Sequence, residues 1–445
     1  MKNNILKNKR MYAYIKRYIM FMFKRFYGEY VVYGQENIPQ EGPVIYAANH
    51  TNAFMDPLAV ISVLPKETQI VYLARSDYFK NKRLRNILHY FKILPAFRMR
   101  EGIEKLDKNY EVFDDCINVL NNNKPVGIMP EGNQGPIHRV RPLMKGIFRI
   151  AFGAQEKYGT ENGVKIVPIG IDYGNADSFG HHIIINIGKP IEVAEYMAEY
   201  IENQAKGTNS LKNRLSTELK NLTIHFNTKD YYECCEKITR LISTQKKNKT
   251  MVLNVFSKRR EIASQLTTFE QEKPQLLEQL NNNIVKLTNN LNKLGLKAWI
   301  FNKENYKTSD IIITTALLVL TIPFFGVGVL LNFFPFFAPD FILHALKIKL
   351  PGGLGSLRFG IGLFTFPVFY VLQGFLICKK IQAGLVFLLI SFPLQYLLGR
   401  ISFIWYKSFR KWQQKIRFKV LKHNETELVS ETKSLYNEII HAVGK

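Results

Sequence analysis

Three stretches of this chain carry no charged side chain at all: residues 311–339, 359–378 and 381–399. Water is a poor host for that much unbroken apolar surface, whereas a bilayer core about 30 Å thick takes about 20 such residues per helical crossing. The second and third runs match that length. The first exceeds it, with Pro323, Gly326 and Gly328 placed to interrupt it. An integral membrane protein is therefore expected, with its transmembrane region over residues 306–405. Three passes would put the basic tail, 406–445, across the bilayer from the N-terminal part, against the preference of Lys and Arg for the cytoplasmic side. One run is thus expected to re-enter or form a hairpin, which leaves two, three or four passes open.

Charge points the same way. The net charge is +25, and residues 1–28 hold eight basic side chains and no acidic one, while 401–424 hold seven and none. Basic segments interleaved with aromatics also suit nucleic acid. Beside long apolar runs they suit anionic lipid headgroups instead, so no nucleic-acid partner is expected. Arg10, Arg17 and Lys24 fall seven apart, as do Lys9 and Lys16, which draws a basic stripe on a helix. Tyr14, Ile15, Tyr18, Met22 and Phe26 make up its apolar remainder. Residues 1–28 are read as an interfacial helix, apolar side down, or as one docked on the chain itself. Their longest charge-free run, 18–23, is too short for a signal peptide. Cys116, Cys234, Cys235 and Cys378 show no ligand spacing and are read as reduced, as in a cytoplasmic compartment.

From 29 to 195 the texture changes. Short β-prone runs at 44–48, 69–74, 126–129, 164–171 and 182–188 alternate with polar segments, of which 80–91 and 106–123 look helical. Apolar strands alternating with helices indicate an α/β domain, a largely parallel sheet flanked by helices, with ligand groups at the carboxyl ends of its strands. Residues 196–305 read as a helical segment. Within it Leu277, Leu280, Ile284, Leu287, Leu291 and Leu294 form a seam expected to pack on the chain's own helices rather than to make a homodimer, although a dimer surface stays open.

The chemistry starts at "YAANHTNAFMDP", residues 46–57. A His beside a carboxylate is the usual way to build a general base. On a helix, however, residues six apart lie about 240° apart around the axis. His50 and Asp56 can meet only if the backbone turns between them. Pro57 biases Asp56 out of the helical region, which permits such a turn. A second short strand ends in "PEG", so Glu131 and Gly132 emerge beside His50 if the two strands are neighbours, with Gly132 allowing close backbone approach. Arg98 and Arg100 follow another apolar run and suit a phosphate.

Together these blocks resemble the glycerolipid acyltransferase family, over roughly residues 30–195. The Asn-His block closed by an Asp is Asn49, His50 and Asp56. The arginine block matches Arg98 best, with Arg100 as the rival. "MPEGN" (129–133) stands for the Pro-Glu-Gly block, "IVPIGI" (166–171) for the following strand, and "PLMKGIFRIA" (142–151) for the Lys-Gly helix that contains Lys145. Two departures stand out. Five residues, Thr51–Met55, separate His from Asp where four are usual, as in fungal-type and related bacterial glycerol-3-phosphate or dihydroxyacetone phosphate acyltransferases. Asn133 replaces the usual hydroxyl residue.

The resemblance implies a membrane-bound O-acyltransferase of phospholipid synthesis, its catalytic domain on the cytoplasmic face. The acyl group would pass from acyl-CoA or acyl carrier protein to glycerol-3-phosphate or 1-acylglycerol-3-phosphate. It implies His50 as general base, oriented by Asp56. Arg98, Arg100 and Lys145 would face the phosphate. Glu131, Gly132 and Asn49 would position the acceptor, Glu131 either by accepting from a hydroxyl or by holding an arginine. No cofactor, metal or acyl-enzyme is implied. His138, His181 and His182 lack acidic or Cys partners at a ligand spacing and are read as surface or core residues. Acylation of another lipid acceptor, and a non-catalytic membrane scaffold of the same fold, are the competing readings.

Overall fold

The structure is a computed structural model that describes all residues except 1–4, 8, 98–106, 136, 159–162, 229, 242–248, 304, 349–352, 383, 425 and 445. The chain divides into two compact units, the first comprising Met1–His225, Asn248–Leu253 and Leu350–Ser356, the second the remainder.

The first unit is built on one sheet. Its strands are β1 (Glu29–Tyr33), β2 (Val44–Ala48), β3 (Val71–Arg75), β4 (Ile93–Ala96), β5 (Val126–Ile128), β6 (Lys165–Tyr173), β7 (His182–Ile187) and β8 (Ile191–Glu192). They lie in the order β1-β7-β6-β2-β5-β3-β4, with β8 on β6. Every neighbouring pair along that path is parallel except β6–β7, and the β6–β8 pair is antiparallel too. The expected α/β architecture is therefore present, and the run at 93–96 proves to be its edge strand.

Helices in this unit are α1 (Arg10–Phe26), α2 (Met55–Val63), α3 (Lys82–Tyr90), α4 (Lys108–Asn121), α5 (Gly146–Tyr158), α6 (Met197–Glu202) and α7 (Gln204–Leu222). All five residues of β2 are buried, as a strand covered on both faces requires. Ile45 and Ala47 join a core with Cys116 and Leu120 of α4, Phe148 and Phe152 of α5, and Leu211, Leu215 and Leu219 of α7. Tyr200 stacks on Phe152 with ring centroids 3.9 Å apart. Each fully buried phenylalanine contributes about 1.5–3 kcal/mol of transfer free energy. Helix α2 packs on β2 and β6 and carries Met55, Ala59 and Val60 into the interior.

Helix α1 departs from the simple basic stripe. Tyr12 and Phe23 are buried, and so is Lys16. Its ammonium donates to the carbonyls of Pro65, Lys66 and Thr68 at 3.2, 3.1 and 2.7 Å. Those carbonyls follow the end of α2, where the helix dipole favours a cation. Met11, Tyr14, Tyr18 and Phe21 remain exposed on the other side. The helix is thus docked and also presents an aromatic stripe. All four cysteines are free and buried.

The second unit contains α8 (Tyr232–Leu241), most of α9 (Lys249–Glu272), and α10 (Pro274–Leu294). It continues with α11 (Thr308–Leu320), α12 (Ile322–Ala345), the bulk of α13 (Leu354–Ile381), α14 (Leu385–Asn424) and α15 (Thr426–Gly444). All of the α10 seam except the half-buried Leu291 is buried, and the helix packs on α8 and on α15, where Lys286 pairs with Glu431 at 2.6 Å. Helices α12, α13 and α14 are each long and apolar enough to cross a membrane. Leu330, Phe364 and Val386 on them are 75%, 74% and 71% exposed, a surface suited to lipid and not to water. The first charge-free run breaks at Thr321, between α11 and α12, and not at Gly326 or Gly328, which lie inside α12. Pro323 sits in the first turn of α12, where its missing N–H costs nothing. A polar node ties the three long helices together: Tyr370 donates to Asn332 Oδ1 at 2.6 Å, and Asn332 Nδ2 to the Gln395 carbonyl at 3.1 Å. Such bonds hold helices together where hydrophobic association cannot.

Candidate active site

Strands β5, β2 and β6 lie side by side and parallel, so their carboxyl ends open on one edge. Parallel-sheet proteins bind ligands at that edge. From β2 come Asn49 and His50, from β5 Glu131, and from the end of β6 Tyr173.

His50 Nδ1 lies 2.8 Å from Asp56 Oδ2. The meeting is made differently from the sequence expectation. Asp56 is not held out of the helical region: it is the second residue of α2 and Pro57 the third. Proline is tolerated in a first turn because its absent N–H would have had no intrahelical acceptor. The bend falls earlier, in residues 50–54, where Ala53 adopts φ 29°.

The carboxylate is fully buried and fully engaged. Oδ2 also accepts from the backbone N–H groups of Thr51 and Asn52 at 2.7 and 2.8 Å, and Oδ1 accepts from the Tyr173 hydroxyl at 2.6 Å. Four donors converging on one carboxylate fix its direction. Burial, with the Asp56 charge adding to it, pushes the Tyr173 phenol well above its usual value, so it remains the donor. With Nδ1–H donating to Asp56, the neutral ring keeps its free lone pair on Nε2. The His50 side chain retains 17% of its surface.

Glu131 is almost completely buried. Its Oε1 accepts from the His50 backbone N–H at 3.1 Å. Its Oε2 accepts from Arg141, through Nη1 at 3.0 Å and the backbone N–H at 3.3 Å. The same Nη1 donates to the His50 and Asn133 carbonyls at 3.3 and 3.0 Å. Of the two roles open to Glu131, holding an arginine is the one visible here. Burial raises its carboxyl above the ordinary range, opposed by the bonds from His50 and Arg141. Gly132 has φ 68°, a left-handed turn that L side chains rarely adopt. Gly135 makes room for the arginine, since a Cβ there would stand 2.2 Å from Arg141 Nη2.

Asn49 turns into the sheet. Its Oδ1 accepts from the Ile171 N–H at 2.7 Å and its Nδ2 donates to the Ile171 carbonyl at 3.1 Å, clamping β2 to β6 beside the histidine. Lys145 is exposed directly before α5, next to Met144, whose backbone N–H donates to Pro130 at 2.8 Å. Arg98 and Arg100 lie outside the described residues. Just before them, Phe97 is held through both backbone groups by Asn109 at 2.9 Å. His138 and His182 do have an acidic partner, the buried Asp172 of β6, at 3.2 and 3.6 Å. Pairing of β6 with β7 brings His182 to Asp172, His138 reaches it from the loop before α5, and no local spacing reveals either contact. Among the described residues no three His, Cys, Asp or Glu side chains are arranged to hold a metal ion.

Arg141 and Tyr173 are the functional candidates that sequence reasoning passed over. Arg141 lies ten residues beyond Glu131, inside a basic loop, and its charge was legible while its partner was not. Tyr173 ends a strand whose last apolar residues gave no sign of a buried carboxylate opposite.

Comparison with known proteins bears on the same residues. Residues 29–172 match the family model described as Acyltransferase. Over 129 residues the chain is 31% identical to glycerol-3-phosphate O-acyltransferase 1 of Saccharomyces cerevisiae, an alignment covering 28% of this chain and 17% of the yeast protein. The chain thus matches only a small part of that relative's length. The crystal structure of the 1-acyl-sn-glycerophosphate (LPA) acyltransferase PlsC from Thermotoga maritima is similar over 49% of this chain and 86% of that one, at 18% identity and a TM-score of 0.34. The matched residues, 29–172, include His50, Asp56, Glu131 and Arg141.

Proposed function

We propose that the chain is a membrane-bound O-acyltransferase that moves a fatty acyl group from a thioester, acyl-CoA or acyl carrier protein, to a hydroxyl of glycerol-3-phosphate or 1-acylglycerol-3-phosphate. The observation that carries this reading is the His50–Asp56 pair, 2.8 Å apart and held from behind by three further donors, within the residues that match the Acyltransferase family model. His50 Nε2 takes the acceptor's hydroxyl proton as the oxygen attacks the thioester carbonyl. Asp56 supports the imidazolium so formed. The C–S bond breaks, and the departing thiolate takes the proton back from the ring. General base catalysis of this kind contributes about 10²–10⁴-fold. No covalent acyl-enzyme intervenes, since the alcohol attacks directly.

Glu131 and Arg141 hold the His50 backbone, and Asn49 locks the strand beneath it. Arg98, Arg100 and Lys145 are assigned to the acceptor phosphate. The yeast relative is named for glycerol-3-phosphate, and the five-residue spacing between His50 and Asp56 agrees with that acceptor. The exposed Tyr14, Tyr18 and Phe21 of α1, bordered by Arg10, Arg17 and Lys24, suit a lipid interface on the cytoplasmic face.

The test is to offer purified protein in detergent each acceptor (glycerol-3-phosphate, dihydroxyacetone phosphate, lysophosphatidate) with each donor, and to follow thiol release. Release that depends on a phosphorylated glycerol supports the reading. No release with any pair refutes it. Arg98→Ala should weaken the apparent acceptor affinity, and an unchanged acceptor KM would instead favour a phosphate-free acceptor.

A further inference from the structure

The turn that brings His50 to Asp56 has a support from far along the chain. Asn52 is its central residue and is fully buried. Its N–H donates to Asp56 Oδ2 at 2.8 Å, and its carbonyl accepts from the Met55 and Asp56 N–H groups at 2.8 and 3.3 Å, starting α2. Its side chain faces away from the histidine. There Nδ2 donates to the Ala176 carbonyl at 2.6 Å, and Oδ1 lies 3.0 Å from the hydroxyl of Ser356, 304 residues later.

That hydroxyl is bonded both as donor and as acceptor. Its proton goes to one of two Asn52 oxygens, Oδ1 at 3.0 Å or the carbonyl at 3.1 Å, and its lone pair accepts from the Met55 N–H at 3.3 Å. Ser356 is 1% exposed, so its hydroxyl is shielded from bulk water. It is the third residue of α13, and a serine near a helix start ordinarily accepts from its own helix. Here every partner of the hydroxyl belongs to the turn after β2. The preceding residue fits the same notch: the Gly355 N–H donates to Asp177 Oδ1 at 3.1 Å, and a Cβ on Gly355 would stand 2.1 Å from the Ala176 carbonyl oxygen. Leu350–Ser356 accordingly fall in the same compact unit as the site.

We propose that Ser356 is a positioning residue for the His50–Asp56 pair. It touches neither the imidazole nor the carboxylate. It fixes Asn52 and Met55, whose backbone in turn sets where Asp56 sits and supplies one of the amides that hold it. This assignment rests on the acyl-transfer reading of the pair. Its physical consequence, a turn locked by the hydroxyl, is measurable without that reading. Without the hydroxyl, Asn52 Oδ1 and the Met55 N–H lose a buried partner, and the turn relaxes toward other arrangements. A general base displaced by even 1 Å loses rate more than substrate affinity.

The experiment compares full-length wild type, Ser356→Ala and Leu354→Ala in detergent. Leu354 lies on the same helix end and has no bond to Asn52, so it controls for loosened packing. The expected result for Ser356→Ala is a kcat about 10-fold lower with donor and acceptor KM within about 3-fold of wild type. Amide hydrogen exchange in the 49–58 peptide should accelerate about 10-fold while the β2 peptide is unchanged. Leu354→Ala should leave both near wild type. Wild-type kcat together with wild-type exchange in Ser356→Ala overturns the proposal, as does an equal loss in Leu354→Ala. If wild type itself releases no thiol, the acyl-transfer reading fails, and the exchange measurement still decides whether Ser356 holds the turn.

Discussion

Glu131 and Arg141, 3.0 Å apart, grip opposite ends of one residue: Glu131 accepts the His50 backbone N–H and Arg141 donates to the His50 carbonyl. The histidine is thereby oriented through its main chain as well as through Asp56. Arg141→Ala leaves a carboxylate buried without its countercharge, which typically costs about 3–5 kcal/mol for a fully buried pair. The Arg141 side chain keeps 23% exposure, so water relieves part of this and the lower end is expected. Thermal unfolding in detergent should show a clear drop in stability, with kcat falling in parallel. Unchanged stability and kcat would remove Arg141 from the site.

The same pair predicts a pH dependence. Burial raises the folded-state Glu131 carboxyl above its unfolded value. The folded state therefore binds more protons than the unfolded one between those two values, and stability falls as pH rises through that window. Relative to Glu131→Gln, which does not titrate, the wild type should lose stability from the ordinary carboxylate range upward and then level off. Unfolding temperatures of both proteins across mildly acidic pH measure the difference. A difference that grows with pH would show the carboxyl to be lowered instead.

Tyr173→Phe tests the far side of Asp56. The hydroxyl bonds a buried charge at 2.6 Å, and hydrogen bonds to charged groups contribute about 1.5–3 kcal/mol. Loss of that bond should lower stability by about that amount and kcat by roughly 3- to 30-fold, leaving KM little changed. A KM effect alone would place Tyr173 on the substrate side.

What the sequence shows and hides follows from how far apart the interacting residues are. The sheet was readable because β2 and β6 are apolar nearly throughout, a pattern that only a doubly covered strand requires. The His50–Asp56 meeting was readable as a need for a turn. The turn is made differently from that expectation, because the bias of the residue before proline yields to the tolerance of a helix's first turn. Lys16 illustrates a different failure. Its spacing places it in a basic stripe, yet three carbonyls beyond α2 draw it inward. Arg141, Tyr173, Asp172 and Ser356 stayed hidden because their roles come from partners brought close by the fold. Nothing in local spacing encodes a contact across 304 residues.

The central claim is that the His50 imidazole removes the acceptor proton with Asp56 behind it. The most direct measurement is kcat for thiol release by wild type, His50→Ala, Asp56→Asn and the double variant, at saturating donor and acceptor. Each single change should lower kcat by about 10²–10⁴-fold, and the double variant should be scarcely slower than His50→Ala, as residues acting as one unit behave. A His50→Ala protein that releases thiol at the wild-type rate would contradict the account.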